Sequence, residues 1–229
     1  MDPDSLQNFT RLFSTPRLDT YVRHIGPVFP HRSRRLYLWN VELSTAVWGP
    51  LALIEVATRN AIHDAMRVGR REDWWNDPTV VLLDRHRQLI DRSYRSFAGK
   101  GNRDPTPNDI VADLNFGFWV RLLDVGIARD RELDYDTRLW RPRLIHAFPG
   151  RTSDRRRGVH RVYNEVRLLR NRVAHHEPIF QRNPRHTVHS LIEAAALVDA
   201  DLASFIRLNE RYTAAARRKQ EAVSQGIVR

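Results

Sequence analysis

The sequence contains no cysteine, which excludes a disulfide framework and any cysteine-ligated zinc site. Long uncharged runs are also missing. The longest one in the apolar first half, residues 43–54, is shorter than the ~18 apolar residues that a membrane span needs. The N-terminal residues have neither the basic start nor the apolar run of a signal peptide. We therefore expect no membrane segment and a cytoplasmic location.

Lysine is almost absent, with Lys100 and Lys219 as its only occurrences, yet the formal net charge is +11. Nearly all of the positive charge is thus arginine, which binds phosphate groups through two parallel hydrogen bonds. A basic chain of this kind favours a polyanionic partner such as RNA or DNA. A GC-rich genome would also enrich arginine, and composition alone does not separate the two explanations.

Apolar residues recur at helical spacing, and β-branched runs with hairpin turns between them are lacking. The pattern predicts an all-α, single-domain helical bundle over residues 1–210, followed by a charged helix end or disordered tail over 211–229. The predicted helices cover residues 36–48, 51–66, 80–97, 110–123, 159–174 and 188–208. Breaks are expected at Gly49-Pro50, at residues 76–78, and in polar loops over 98–108 and 149–158.

Residues 162–176 form the most informative of these helices. Its apolar stripe is expected to be buried and consists of Val162, Val166, Leu169 and Val173. Asn171 and His175 are four residues apart and share another face, toward which the long side chain of Arg170 can swing. Pro178 cannot lie inside an undistorted helix, so the helix should end near residues 175–177.

Arginine, asparagine and histidine at one helix end suit phosphate chemistry. An imidazole with a pKa near ~6.5 can take a proton from a ribose 2′-hydroxyl or give one to a leaving 5′-oxygen. An arginine can stabilise the charge that develops on the phosphorus oxygens. The competing interpretation is structural, because arginine and histidine near a helix C-terminus also interact favourably with its dipole. His186 and His189 lack the further ligands that a zinc site requires.

The motif RNRVAH over residues 170–175 resembles the catalytic motif of the HEPN superfamily of helical ribonucleases. The longer stretch LLRNRVAHHEPI over 168–179 resembles the bacterial abortive-infection, Abi-like family more specifically. Two upstream blocks agree in order and rough spacing. They are YLWNVELS over 37–44 continuing into LIEVATRNAI over 53–62, and IVADLNFGFWVRLL over 110–123. The resemblance covers residues ~20 to ~205.

This resemblance implies a HEPN-like bundle with helical additions, and metal-independent RNA cleavage without a cofactor in phage defence or a toxin–antitoxin pair. It implies RNA as substrate, a homodimer, and restraint by an antitoxin that is a protein or a small RNA. Arg170, Asn171 and His175 would be the catalytic residues. The family pattern also places Glu55, Arg59 and Asn60 beside Arg170. By spacing alone, Glu55 and Arg59 form an ordinary helical ion pair.

Several other residues are candidates for supporting roles. His176 and Glu177 adjoin the catalytic pair, and helical counting turns His176 toward the Leu169 side, away from His175. The basic residues expected to touch RNA are Arg151, Arg155, Arg156, Arg157, Arg167 and Arg172. The loop that holds the first four is equally consistent with a solvated loop.

Two aromatic clusters and two other functions remain open. Residues 74–75 and 116–119 favour core packing, with base stacking as the alternative. A non-catalytic RNA-binding module would use the same basic cleft without cutting. A DNA-binding regulator has the right charge, but the sequence lacks a compact helix-turn-helix pattern.

Overall fold

A computed structural model describes residues 3–99 and 104–227, with side chains from residue 8 onward. The fold is all-α: these residues contain no strand, and Gly126 and Asp134 form an isolated β-bridge. The α-helices are α1 Pro3–Phe13, α2 Thr15–Ile25, α3 Pro30–Arg67, α4 Asp84–Ala98, α5 Pro107–Asp113, α6 Phe116–Leu122, α7 Arg156–Ala174, α8 Pro184–Val198, α9 Ala200–Asn209 and α10 Tyr212–Arg217. Short 3-10 or π turns lie at Trp74–Asn76, Asp136–Trp140, Leu144–Ala147 and Glu221–Gln225.

Helix α3 runs through the break that was predicted at Gly49-Pro50, so that prediction was wrong. Proline removes one backbone hydrogen bond from a helix, but its fixed φ is itself helical. The buried residues Leu43, Val47, Leu51 and Ile54 continue one apolar stripe past the proline. Burial of this stripe offsets the lost hydrogen bond.

Two other predicted helices are each divided by a capping side chain. Asn115 accepts a hydrogen bond from the amide of Phe118 at 3.0 Å and starts α6, which splits the predicted helix 110–123. Asp199 accepts from the amide of Leu202 at 2.7 Å and separates α8 from α9, which splits 188–208. Both residue types are strong N-caps, and their local bonds compete with a continuous helix. Residues 100–103 of the predicted loop lie outside the described residues.

By length and composition, α3 passes a simple test for a membrane-spanning helix. One 18-residue window has a mean hydropathy of 1.2, and 28% of that window is buried. The core helix of a soluble protein passes the same test, so the finding is weak. The expectation of no membrane segment stays a prediction.

Contacts divide the chain into two compact units that interleave along the sequence, a division that the sequence did not indicate. Unit 1 comprises residues 1–51, 169–189 and 209–229. Unit 2 comprises residues 52–168 and 190–208. The candidate motif at the end of α7 belongs to unit 1.

Aromatic side chains form much of the core of unit 1. The ring of Tyr21 lies 5.2 Å from that of Tyr37 and 5.3 Å from that of Phe180, measured between centroids. The indole of Trp39 donates to the carbonyl of Ala215 at 2.9 Å. These contacts join α2, the first part of α3, the segment after α7, and α10.

Residues 211–227 belong to unit 1 and begin with the helix α10, while the choice between a charged helix end and a disordered tail stays a prediction. The side chains of Tyr212, Ala215, Ala222 and Val223 are buried. Arg218 pairs with Glu42 at 2.7 Å. The sequence pattern here was weak because each helical turn is short and contributes only one or two apolar residues.

The core of unit 2 contains both aromatic clusters. Trp74, Trp75, Phe116, Phe118 and Trp119 are all at most 1% exposed, which confirms core packing for these residues. Gly150 lies against α8, where an added Cβ would be only 1.9 Å from the carbonyl oxygen of Ala196. Glycine is therefore required at this contact.

Helix α4 is anchored in unit 2 by its buried face. His86, Ile90 and Ser93 are buried on that face. The Nδ1 atom of His86 lies 2.9 Å from the hydroxyl of Tyr135, and burial lowers the pKa of His86 to about 3. The opposite face of α4 points outward.

Candidate functional site

Helix α7 presents its predicted faces and ends at Ala174. The stripe of Val162, Val166, Leu169 and Val173 is at most 5% exposed, which confirms its prediction as core. The amide of His175 still donates to the carbonyl of Asn171 at 2.9 Å. His175 therefore follows the last helical turn, and Asn171 lies one turn before it.

The turn after α7 closes through two backbone hydrogen bonds. The amide of His176 donates to the carbonyl of Val173 at 3.1 Å, and the amide of Glu177 donates to that of Arg172 at 2.7 Å. This pair of bonds defines a Schellman cap, in which the residue before the last donor adopts the left-handed conformation and is usually glycine. His176 occupies that position with φ of 55°. Helical counting predicted that His176 faces the Leu169 side of the helix. That count does not apply, because His176 lies beyond the end of α7.

A histidine in the left-handed region carries a strain of roughly 1–2 kcal/mol. Strained residues of this kind concentrate at functional sites, where surrounding structure holds them in place. Here the carbonyl of His176 accepts a hydrogen bond from Nη1 of Arg17 at 2.8 Å. Pro178, two residues further on, prevents the helix from continuing.

Replacing His176 with glycine is expected to raise the free energy of unfolding by about 1 kcal/mol, because glycine adopts a positive φ without the steric penalty. Thermal or denaturant unfolding measures this change. His175→Gly is the matched control, since His175 does not have a positive φ. That variant should lose stability or leave it unchanged. Equal effects of the two substitutions would contradict a strained cap at His176.

The segment after the cap is held by Asn40 of α3. Its Oδ1 atom accepts hydrogen bonds from the amides of Ile179 at 2.7 Å and Phe180 at 3.1 Å. All three residues are buried, so these amides have no access to water. A single side chain thus fixes the chain that follows the two histidines.

Two cavities border this turn within unit 1. The first has a volume of about 420 Å³ and is lined by Tyr37, Asn40, Val41, Ser44, Thr45, Trp48, Val173, Ala174 and His176. The second has a volume of about 350 Å³ and is lined by Ser14, Pro16, Arg17, Thr20, Tyr21, His176, Glu177 and Pro178. His176 lines both, whereas His175 lines neither.

The lining of the second cavity is more polar than that of the first. It contains the cation of Arg17, the carboxylate of Glu177 and the hydroxyl of Thr20. The hydroxyl of Tyr21 is buried and has no hydrogen-bond partner in the described part of the chain, and burial raises its pKa. A buried hydroxyl without a partner is costly to the fold.

The three predicted catalytic residues differ in exposure. Arg170 and Asn171 are half-buried, and His175 is exposed. Exposure leaves the imidazole of His175 accessible to a large substrate. Glu177, predicted as a supporting residue, is also exposed beside the cap.

Glu55, Arg59 and Asn60 belong to unit 2. The Nε atom of Arg59 donates to Oδ1 of Asn60 at 3.2 Å, and Glu55 is half-buried. That these residues line the same cleft as Arg170 stays a prediction.

The arginines predicted to contact RNA fall into two groups. Arg151 and Arg156 are engaged in structural contacts. The former pairs with Asp154 at 3.2 Å, and the latter donates to the carbonyl of Leu123 at 2.6 Å. Arg167 donates twice to Oδ1 of Asn164, at 3.1 and 2.7 Å. The exposed members of the set are Arg155, Arg157 and Arg172.

Sequence reasoning missed Arg17, Tyr21 and Asn40 as parts of this site. Asn40 offered one signal, a polar residue within the apolar stripe of a predicted helix. Arg17 and Tyr21 lie on α2, which no apolar pattern predicted. Their proximity to His176 arises from contacts across more than a hundred residues of sequence.

Comparison with known proteins adds no relative: no protein-family model, no curated protein and no solved structure matches this chain. Among residues 3–99 and 104–227, no group of three or more His, Asp or Glu side chains is arranged to hold a metal ion.

Proposed function

We propose that this protein is a metal-independent endoribonuclease whose active site is the C-terminal end of α7. Arg170 stabilises the charge on the phosphate, His175 transfers a proton, and Asn171 positions the substrate. His176 and Glu177 support the site from the cap.

One observation carries most of this proposal. The helix end presents an accessible imidazole at His175 next to a strained cap at His176, with arginine at positions 170 and 172. If the basic residues served only to interact with the helix dipole, glycine would be favoured at position 176, because it adopts the left-handed conformation without strain. A strained histidine at that position is typical of a functional site. The resemblance of residues 168–179 to Abi-like HEPN ribonucleases supports the same assignment.

The reaction requires only the RNA and the side chains of the site. The 2′-oxygen attacks the adjacent phosphorus and loses its proton, while the bond from phosphorus to the 5′-oxygen breaks and that oxygen gains a proton. The imidazole of His175 performs one of the two proton transfers. The products are a 2′,3′-cyclic phosphate and a 5′-hydroxyl.

The decisive experiment is RNA cleavage by the full chain in the presence of a chelator, with identification of the product ends. We expect cyclic phosphate and 5′-hydroxyl ends. We also expect no cutting at a nucleotide whose 2′-hydroxyl is replaced by hydrogen, because the attacking group is then missing. Product ends with a 5′-phosphate would contradict this mechanism. Salt-dependent binding of RNA without any product would instead identify the chain as a non-catalytic RNA-binding module.

We further propose that the enzyme acts as a homodimer in the cytoplasm, in phage defence or a toxin–antitoxin pair, restrained by an antitoxin protein or small RNA. The dimer is supported by the exposed apolar side chains of α3 in unit 1. Leu38, Val41 and Trp48 are 38%, 46% and 46% exposed. Contiguous apolar surface of this kind is typical of protein interfaces.

A further inference from the structure

Four arginines line one cavity in unit 2. Arg85, Arg92 and Arg95 come from α4 and Arg121 comes from α6, and we call them the α4–α6 arginine cluster. The cavity has a volume of about 530 Å³, and its other lining residues are Gln88 and Leu89. No acidic side chain lines it among the described residues.

The positive charge of this cluster is largely uncompensated. Within residues 3–99 and 104–227, the guanidinium groups of Arg92, Arg95 and Arg121 make no hydrogen bond or ion pair. Arg85 approaches Asp124 at 3.5 Å, and both side chains are well exposed. An exposed pair of this geometry contributes little attraction.

The contrast with the basic loop at residues 151–157 is informative. The cavity beside that loop is lined by four arginines as well, but also by Asp136 and Asp154. Arg141 pairs with Asp136 at 3.0 Å, and Arg151 pairs with Asp154 at 3.2 Å. Carboxylates therefore neutralise much of the loop, and not the α4–α6 arginine cluster.

Arg121 is held toward the cluster despite repulsion from its neighbours. Partial burial, followed by the nearby guanidiniums of Arg167 and Arg85, lowers the pKa of Arg121. The guanidinium of Arg121 lies back along α6 beside Gly117, where an added Cβ would make an ordinary contact of 3.4 Å with Nη2. Four cations around one cavity whose lining contains no carboxylate favour an anionic ligand.

The spacing of the arginines indicates the size of that ligand. Residues 85, 92 and 95 lie on one outward face of α4, opposite the buried His86, Ile90 and Ser93. At a rise of 1.5 Å per residue, Arg85 and Arg95 are separated by roughly 15 Å along the helix. A line of cations of this length matches a polymer with repeated negative charges better than one small anion.

We propose that the α4–α6 arginine cluster binds the phosphate backbone of RNA at nucleotides outside the bond that is cut. The identity of the polyanion rests on the proposed function, whereas the site itself rests on the cluster. An acidic protein segment is disfavoured, because Leu89 is the single aliphatic residue in the lining and offers little to the apolar anchors of a protein partner.

Binding can be measured apart from cleavage with a fluorescent, single-stranded 2′-O-methyl RNA, which lacks the attacking hydroxyl. Arg92→Ala/Arg95→Ala removes two phosphate contacts. Arg207→Ala/Arg211→Ala is the control, because it removes the same charge at exposed positions that do not line the cavity. With a salt slope of about 0.7 per phosphate contact, the cluster variant should bind roughly 20-fold more weakly near 0.1 M salt. Its slope of log K against log salt should fall by about 1.4.

The outcomes separate this inference from the proposed function. If the cluster and control variants bind RNA equally, with equal salt slopes, the inference is overturned even when the wild type cuts ordinary RNA. It is also overturned if the wild type does not bind RNA, or if poly-glutamate binds more tightly and loses affinity selectively in the cluster variant. Selective loss of RNA binding by the cluster variant supports the inference even when no RNA is cut.

Discussion

Replacing His175 with alanine is expected to lower the rate of RNA cleavage by about 100- to 10,000-fold, the usual contribution of a positioned proton-transfer group. This corresponds to about 2.7–5.5 kcal/mol of transition-state stabilisation. The side chain of His175 is exposed and makes no hydrogen bond to the described residues, so the fold should be unaffected. Single-turnover cleavage in the presence of a chelator measures the effect.

His146→Ala provides the matched control for this experiment. His146 is likewise exposed, at the end of a short helical turn in unit 2. Its replacement should leave cleavage unchanged. Full activity of the His175 variant, with unfolding behaviour like that of the wild type, would refute its assignment as the proton-transfer group. An equal loss in both variants would point to a general effect of histidine removal.

The second large effect is expected from Asn40→Ala. This change removes the acceptor for the buried amides of Ile179 and Phe180. Each unsatisfied buried amide costs about 1–3 kcal/mol, so the free energy of unfolding should fall by about 3 kcal/mol. Chemical denaturation measures the loss. Cleavage at a temperature where the variant is still folded should also fall, because the segment after the cap loses its anchor.

Ser44→Ala separates this effect from a general weakening of α3. Ser44 is one turn away and lines the same cavity as Asn40. Among the described residues, its hydroxyl bonds only to the carbonyl of Asn40, at 2.9 Å. Its loss should change stability by no more than about 0.5 kcal/mol. If Asn40→Ala is as mild as Ser44→Ala, the two amide bonds do not fix the segment.

Helix α7 could be predicted from sequence because its information is local. The spacing of Val162, Val166, Leu169 and Val173 specifies the buried face, and Pro178 specifies the end of the helix. The predicted end at residues 175–177 falls one residue after Ala174. All-α class follows from the same periodicity repeated along the chain.

Other features depend on contacts that no local pattern encodes. The left-handed conformation of His176 is imposed by the cap. It could not be predicted from the sequence, because glycine is the residue that normally indicates such a cap. Helices α1 and α2 have only 11 residues each, so their apolar stripes contain too few residues to be detected from the sequence. The split at Asn115 was missed because an aromatic, strongly apolar sequence surrounds the capping residue.

The arginines show the same limit. The arginines at residues 151–157 were predicted from the sequence to contact RNA. Two of them, Arg151 and Arg156, instead make contacts within the fold. In the α4–α6 arginine cluster, Arg121 is 26 or more positions from the three arginines of α4, so the cluster appears only when α4 and α6 pack together. Composition predicted a basic surface without indicating where on the fold it lies.

The make-up of unit 1 has a consequence for biosynthesis. Its three stretches are separated in the chain by the two stretches of unit 2, and the contact between Trp39 and Ala215 spans 176 residues. Contacts of such long range form late and slow the folding of a domain. During translation, the end of α7 emerges before residues 209–225, whose side chains complete the core of unit 1. The core of unit 1, to which the end of α7 belongs, is therefore complete only after that last stretch has been made.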